Sequence, residues 1–231
     1  WYFSVRINAE GELVQLLDKQ ANREVLPAGE RANVLLAFDD RPYKWDAWNI
    51  DMYYEEKQYP VNEQVTVSGV LSGPVFESVR VEKRFGRSVF TQEIRVYHTI
   101  PRIDFVTHVD WHEDATVLKV AFPVEVNADF ATFDIQCGSV RRPTHRNTSW
   151  DKARYEVCAH RWADLSEGDY GVSLLNDCKY GCDVENHVLR LTLLKAGMVP
   201  DETIDRGEHV FTYALFPHSG ACGAATNEMA A

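Results

Sequence analysis

The seven residues WDAWNID, Trp45 to Asp51, place two of the chain's six tryptophans and two carboxylates in one short stretch. Indole faces stack on the apolar side of a sugar ring and carboxylates accept its hydroxyls, so this composition suits carbohydrate. A catalytic carboxylate pair is a second chemistry. Asp46 and Asp51, five positions apart, would project to opposite faces of a regular strand, so they are not an obvious pair. A retaining glycosidase needs its two carboxyls about 5 Å apart, and no local pattern singles out such a pair among the 35 acidic residues. A third reading is hydrophobic core with wet edges, in which Trp45 and Trp48 face opposite sides of a strand, one inward and one outward.

THVDWHE sets His108, Asp110 and His112 on one face of a strand, with Val109 and Trp111 on the other. Imidazole and carboxylate are common zinc ligands. Neighbours at this spacing stand about 7 Å apart, however, and seldom all reach one ion held at about 2 Å, so a solvent-facing strand edge is the preferred reading. Cys178 and Cys182 lack a second pair at zinc spacing. With Cys137, Cys158 and Cys222 they make an odd count of five, which suits reduced thiols in a cytoplasmic protein. The GxSxG, HExxH, P-loop and dinucleotide fingerprints are missing.

His145, Arg146, Asn147, Thr148, Ser149, Trp150 and Asp151 combine donors, acceptors and an aromatic platform in an irregular stretch. They could bind sugar hydroxyls, or equally form a loop that satisfies its own backbone. Trp111, Trp150 and Trp162 are expected as core or loop anchors, since large aromatics are usually highly buried.

The elements that must position these residues are strands. Period-two alternation in short runs, broken by turns such as Ser72-Gly73-Pro74 and Glu167-Gly168-Asp169, predicts a hairpin over Phe3 to Leu17. Further strands are predicted at 64–71, 75–85, 88–97, 103–111, 117–126, 130–138, 154–163, 170–176, 187–195 and 208–216. Residues 139–152 form the longest region without a clear strand. More than ten strands and few helical segments predict an all-β fold, a large antiparallel β-sandwich in a single domain over 1–231, with a disordered tail from about 218. The formal charge of −11, with basic residues scattered among acids, argues against nucleic acid as a partner. No apolar run approaches the roughly 20 residues that span a bilayer, so no membrane association is expected. WYFSVRI opens abruptly as a strand, as if cut from a longer protein.

RPTHRNTSWD, ARYEVCAHRWADLSEGDYGVSLLNDCKYG, FDDRPYKWDAWNID, VDWHE and RGEHVFTYALFPHSG together resemble the C-terminal β region of α-mannosidases in glycoside hydrolase family 38, cytosolic and bacterial branch. The resemblance covers nearly the whole chain and implies a supersandwich of the galactose-mutarotase type. It also implies a parent enzyme that hydrolyses α-mannosides with retention, using one zinc ion and an aspartate nucleophile in an N-terminal barrel that lies upstream of Trp1. On that reading this chain holds no catalytic residue and no metal ligand of its own; its partners are the barrel and a mannoside or oligosaccharide. Trp45, Asp46, Trp48, Asp51, His145, Asn147 and Asp151 are the candidate rim residues, Trp48 aligning with an aromatic that relatives bring near the sugar. An independent carbohydrate-binding module is the alternative function, and a mutarotase-like epimerase a weaker one.

Overall fold

The computed structural model describes residues 1–230. Strands β1 (Phe3–Ile7), β2 (Leu13–Asp18) and β3 (Arg23–Glu24) make a small antiparallel sheet at the start of the chain. Gly11, in the β1–β2 turn, has φ +72°, and a Cβ added there would stand 2.3 Å from Val81 Cγ1 in the core. Left-handed strain and overpacking then act together, so Gly11→Ala should lose about 3 kcal/mol. The urea-unfolding midpoint measures this.

In chain order there follow β4 (Val34–Asp39), β5 (Gln58–Pro60), β6 (Glu63–Val67), β7 (Leu71–Ser72), β8 (Phe76–Phe85), β9 (Ser88–Tyr97), β10 (Ile103–Trp111) and β11 (Thr116–Pro123). The second half holds β12 (Phe130–Ile135), β13 (Gly138–Pro143), helix α1 (Ser149–Lys152), β14 (Val157–Cys158), β15 (Trp162–Glu167), β16 (Tyr170–Asn176), β17 (Gly181–Glu185), β18 (Val188–Ala196), β19 (Gly207–Ser219) and helix α2 (Ala224–Met229). A ten-stranded sheet runs β13-β12-β15-β16-β19-β10-β9-β8-β6, with β7 also beside β8. A six-stranded sheet runs β14-β17-β18-β11-β4-β5, and every pairing is antiparallel. The chain is therefore all-β.

The two inner faces meet as a sandwich. Register places Phe105 of β10 opposite Ile94 and Tyr213, and this alternating set packs against Leu35, Leu118, Val120 and Phe122 of the smaller sheet. The Phe105 and Phe122 rings stand 5.3 Å apart, edge to face. One polar group interrupts this core. Gln92 Nε2 donates to Thr107 Oγ1 at 2.9 Å and to the Tyr213 hydroxyl at 2.8 Å, while Asn33 Nδ2 donates to Gln92 Oε1 at 2.6 Å. The Tyr213 hydroxyl donates in turn to Asn33 Oδ1 at 2.8 Å. Each member has a partner, so the network restricts register without leaving a lone polar group in the core.

Several boundaries match the sequence expectation to the residue, among them Ser88–Tyr97, Ile103–Trp111 and Tyr170–Asn176. Others do not. Residues 139–152, expected as irregular, contain most of β13 and then α1, and the strand expected over 154–163 reduces to β14 and the start of β15. β4 and β17 carry no predicted counterpart. At the chain end, expected as a disordered tail, α2 seals a small cluster in which Cys222 and Met229 pack on Trp162, Leu175 and Phe216. Ala231 lies outside the described residues.

Candidate functional site

β11 is apolar at nearly every position because both of its faces are covered. Leu118, Val120 and Phe122 point into the core, and Val117 packs on the other side with Phe38 and Tyr54. Lys119 shares that outer side by alternation, and it is fully buried. Its ammonium donates to the carboxylates of Asp183 and Glu156, and to the Tyr54 hydroxyl at 3.2 Å. Burial alone would depress the Lys119 pKa; Asp183 and Glu156 override it and hold the group well above the usual lysine range.

The network extends outward from there. Arg190 Nε donates to Asp183 Oδ1 at 2.7 Å and the same guanidinium reaches Glu55, which also accepts from Arg146 Nη1 at 2.5 Å. Thr192 Oγ1 donates to Glu156 Oε1 at 2.5 Å. Burial would raise Glu55, but the Arg146 and Arg190 guanidiniums keep it below the usual carboxylate range. Three strands, β11, β17 and β18, are thus tied to the 3-10 helix Met52–Glu56 and to segment 146–156. Tyr155 adds a further tie, its hydroxyl donating to Ile50 O at 2.6 Å.

WDAWNID rides on this platform as a compact turn. Trp45 has φ +63°, and its carbonyl accepts from both Trp48 N and Asn49 N at 2.8 Å. The two indoles stand 6.3 Å apart edge to face, and they are 69% and 71% exposed. The expectation of one tryptophan inward and one outward is therefore corrected: a turn, unlike a strand, turns both residues to solvent. Trp150, expected as an anchor, is also exposed, whereas Trp111 and Trp162 are core.

The acids of the stretch are occupied by the chain itself. Asp46 accepts from Met198 N at 2.6 Å and Val199 N at 3.2 Å, clamping the turn to the end of β18. There Gly197 lets the backbone of Ala47 approach to 3.0 Å of where a Cβ would be. Asp51 accepts from the Tyr53 hydroxyl at 2.5 Å, Tyr43 N at 2.7 Å and Asn49 Nδ2 at 2.9 Å, donors that lower its pKa. Beside Trp45 lies an open cleft of about 640 Å³ lined by Asp40, Tyr43, Trp45, Asp46, Met198 and Val199 among others. Asp40 is buried and paired with Lys195, yet its Oδ1 has no hydrogen-bond partner. An acceptor left so carries a penalty of about 1–3 kcal/mol. Burial raises the Asp40 pKa against the pull of Lys195.

The 145–151 group divides. Thr148 and Asp151 form a reciprocal capping box that starts α1, with Thr148 Oγ1 donating to Asp151 Oδ2 at 2.6 Å and Asp151 N to Thr148 Oγ1 at 3.1 Å. These two follow the self-satisfying reading, Thr148 donors lowering the Asp151 pKa. Asn147 N approaches His145 Nδ1 at 3.5 Å. His145 itself lines a different cavity, about 450 Å³, with Val124, Asn127, Asp129 and His187. That cavity adjoins Val124, and the Trp45 cleft adjoins Ala115 at the other end of β11. The two cavities share no lining residue, so His145 and Trp45 border different clefts, while His145 Nδ1 lies 3.7 Å from Asp151 Oδ2.

His112 Nε2 lies 2.7 Å from Asp110 Oδ1, both half exposed, at the end of β10. Among the described residues no group of three or more His, Cys, Asp or Glu is placed to hold a metal ion. No helix among them is long and apolar enough to cross a membrane. Sequence reasoning missed Lys119, Asp183, Glu156, Arg190 and Glu55. The one signal was a lysine in the middle of the apolar run TVLKVAFP, where a charge needs a buried partner.

Comparison with known proteins places this geometry. Residues 1–203 match the family described as the glycosyl hydrolases family 38 C-terminal domain. The chain belongs to this family. It is 44% identical over 222 residues to alpha-mannosidase 2C1 of Mus musculus, and 40% identical over 231 residues to alpha-mannosidase G of Dictyostelium discoideum. Those alignments cover 94% and 97% of this chain but 21% of each relative, so the family 38 domain here spans about a fifth of their length. An alpha-mannosidase from Enterococcus faecalis shares the fold with a TM-score of 0.76 at 15% identity, over 95% of this chain and 28% of that one.

Proposed function

We propose that this family 38 domain is the non-catalytic C-terminal part of a cytoplasmic α-mannosidase that retains configuration and depends on zinc bound elsewhere in the parent. Its role is to pack beside the N-terminal catalytic barrel and to lend an aromatic edge to the rim of the active site. The observation that carries this is the exposed Trp45–Trp48 pair standing on a buried charge network. A domain that needed only solubility would not hold two indoles in solvent; such exposed aromatic patches mark binding surfaces. Trp45 and Trp48 are the grip, and Asp46 and Asp51 shape the turn that presents them. Asn147 and Asp151 act through the segment that the network ties to the same platform, and so does His145, whose Nδ1 lies 3.7 Å from Asp151 Oδ2.

Catalysis requires a carboxylate nucleophile and a partner acid about 5 Å apart, and the parent supplies these outside this chain. The chain alone should therefore show no turnover of a chromogenic α-mannoside, with or without added zinc, while the parent enzyme turns it over and loses activity to a chelator. Zinc-dependent turnover by the isolated chain, or a parent inert to α-mannosides, would contradict the assignment. The exposed tryptophans also favour a second reading, an independent carbohydrate-binding module, in which the domain grips sugar without the barrel.

A further inference from the structure

Strand β1 is an open edge: among the described residues it has β2 on one side and no strand on the other. Lys19 N donates to Tyr2 O at 2.9 Å. In the antiparallel ladder that follows, Ser4 and Arg6 turn their backbone groups to β2, and Phe3, Val5 and Ile7 turn theirs away from it. The strand, FSVRI, has no proline and a single charge, so little guards this edge against pairing.

Beside the edge lies a cavity of about 230 Å³. Its wall takes in Phe3, Ser4 and Val5 in succession, as the edge of a strand does and one pleated face does not. Its floor is the inner face of β8 and β9, where register sets Glu77 opposite Val96 and Val79 opposite Ile94. Val79 and Val96 are only half buried there, and Val70, which also lines the cavity, is 63% exposed. An apolar floor thus runs beside a row of outward N–H and C=O groups. These are the two features that hold an added strand, main-chain bonds along one side and pockets for alternate side chains beneath.

We propose that β1 takes up an extended segment of the parent enzyme from outside this chain, with apolar residues at alternate positions, as a fourth strand of the small sheet. This rests on the reading of the chain as part of a longer α-mannosidase, and it names one place where the two parts are joined. The region matched is about a fifth of the relatives' length, so chain for such a strand is at hand. A second copy is the poorer occupant. Its β1 already turns Phe3, Val5 and Ile7 into its own core, and its other face is Ser4 and Arg6, so no apolar side is left to lie on this floor.

Amide hydrogen exchange at single-residue resolution, in this chain and in the parent, tests the proposal. In the chain alone Val5 and Ile7 should exchange at least about tenfold faster than Ser4 and Arg6, and in the parent they should slow by about 100-fold or more. Val79→Asp puts a charge on the floor, and in the parent it should return Val5 and Ile7 to within about threefold of their rates in the chain alone. Equal exchange of Val5 and Ile7 in wild-type chain and parent overturns the proposal, whatever the variant does. So does protection left intact in a folded Val79→Asp parent, or slowing that grows with the concentration of the chain alone, which would assign the edge to a second copy. None of these results touches the mannosidase reading, which is decided by turnover in the parent.

Discussion

Lys119→Met should lower the unfolding free energy by about 3–5 kcal/mol, because it leaves buried Asp183 and half-buried Glu156 without their shared cation. For a domain of this size that is a fall in melting temperature of roughly 10 °C. Methionine keeps the length and apolar stem of lysine, so little of the effect comes from an unfilled cavity. The loss is expected to be uneven. Segments 50–57 and 146–156 hang on Glu55, Tyr54 and Glu156, so their amides should exchange sooner than those of β9 and β10, which lie across the core. Thermal unfolding by far-UV circular dichroism reads the first effect and hydrogen exchange the second. A loss under about 1 kcal/mol would mean that the lysine is merely accommodated.

Much of the sandwich was legible in the sequence because strands such as β9 and β10 bury one face, while β16, covered on both, is marked out by the turns at its ends. All three lie in the middle of the ten-stranded sheet, and for β9 and β10 alternation and boundary agree. The failures have a common physical cause. β4, NVLLAFDD in sequence, does not alternate because its outer residues Leu36 and Phe38 are roofed by the 50–57 segment, and a doubly covered strand reads as a plain apolar run. Segment 139–152 looked irregular since β13 is an exposed edge of charged and small residues, where burial imposes no pattern. The candidate site was legible only in part. Trp45 and Trp48 could be picked out by type, but their shared exposure follows from a turn closed by the Trp45 carbonyl and by Asp46 reaching Met198, a contact across 152 positions. The charge network is likewise long-range: Lys119, Asp183 and Glu55 come from three distant segments, and nothing local announces them.

In the parent enzyme, replacing Trp45 and Trp48 together by alanine should reduce kcat/KM for an aryl α-mannoside about 30-fold. Each indole lost removes roughly 1 kcal/mol of contact with the ring or its aglycone. If the pair shapes the rim and takes no part in bond cleavage, most of the loss should fall on KM, since it removes binding shared by substrate and transition state. Stability should hold within about 0.5 kcal/mol, because both side chains are largely in solvent. The contrast with Lys119 is informative: one substitution loosens the platform, the other strips the surface that stands on it.

The most direct measurement is therefore the steady-state kinetics of that double variant beside its melting curve. The expected result is an unchanged melting temperature with kcat/KM down by about 30-fold, carried mainly by KM. Full activity in a stably folded double variant would contradict it, and would return the tryptophans to mere surface.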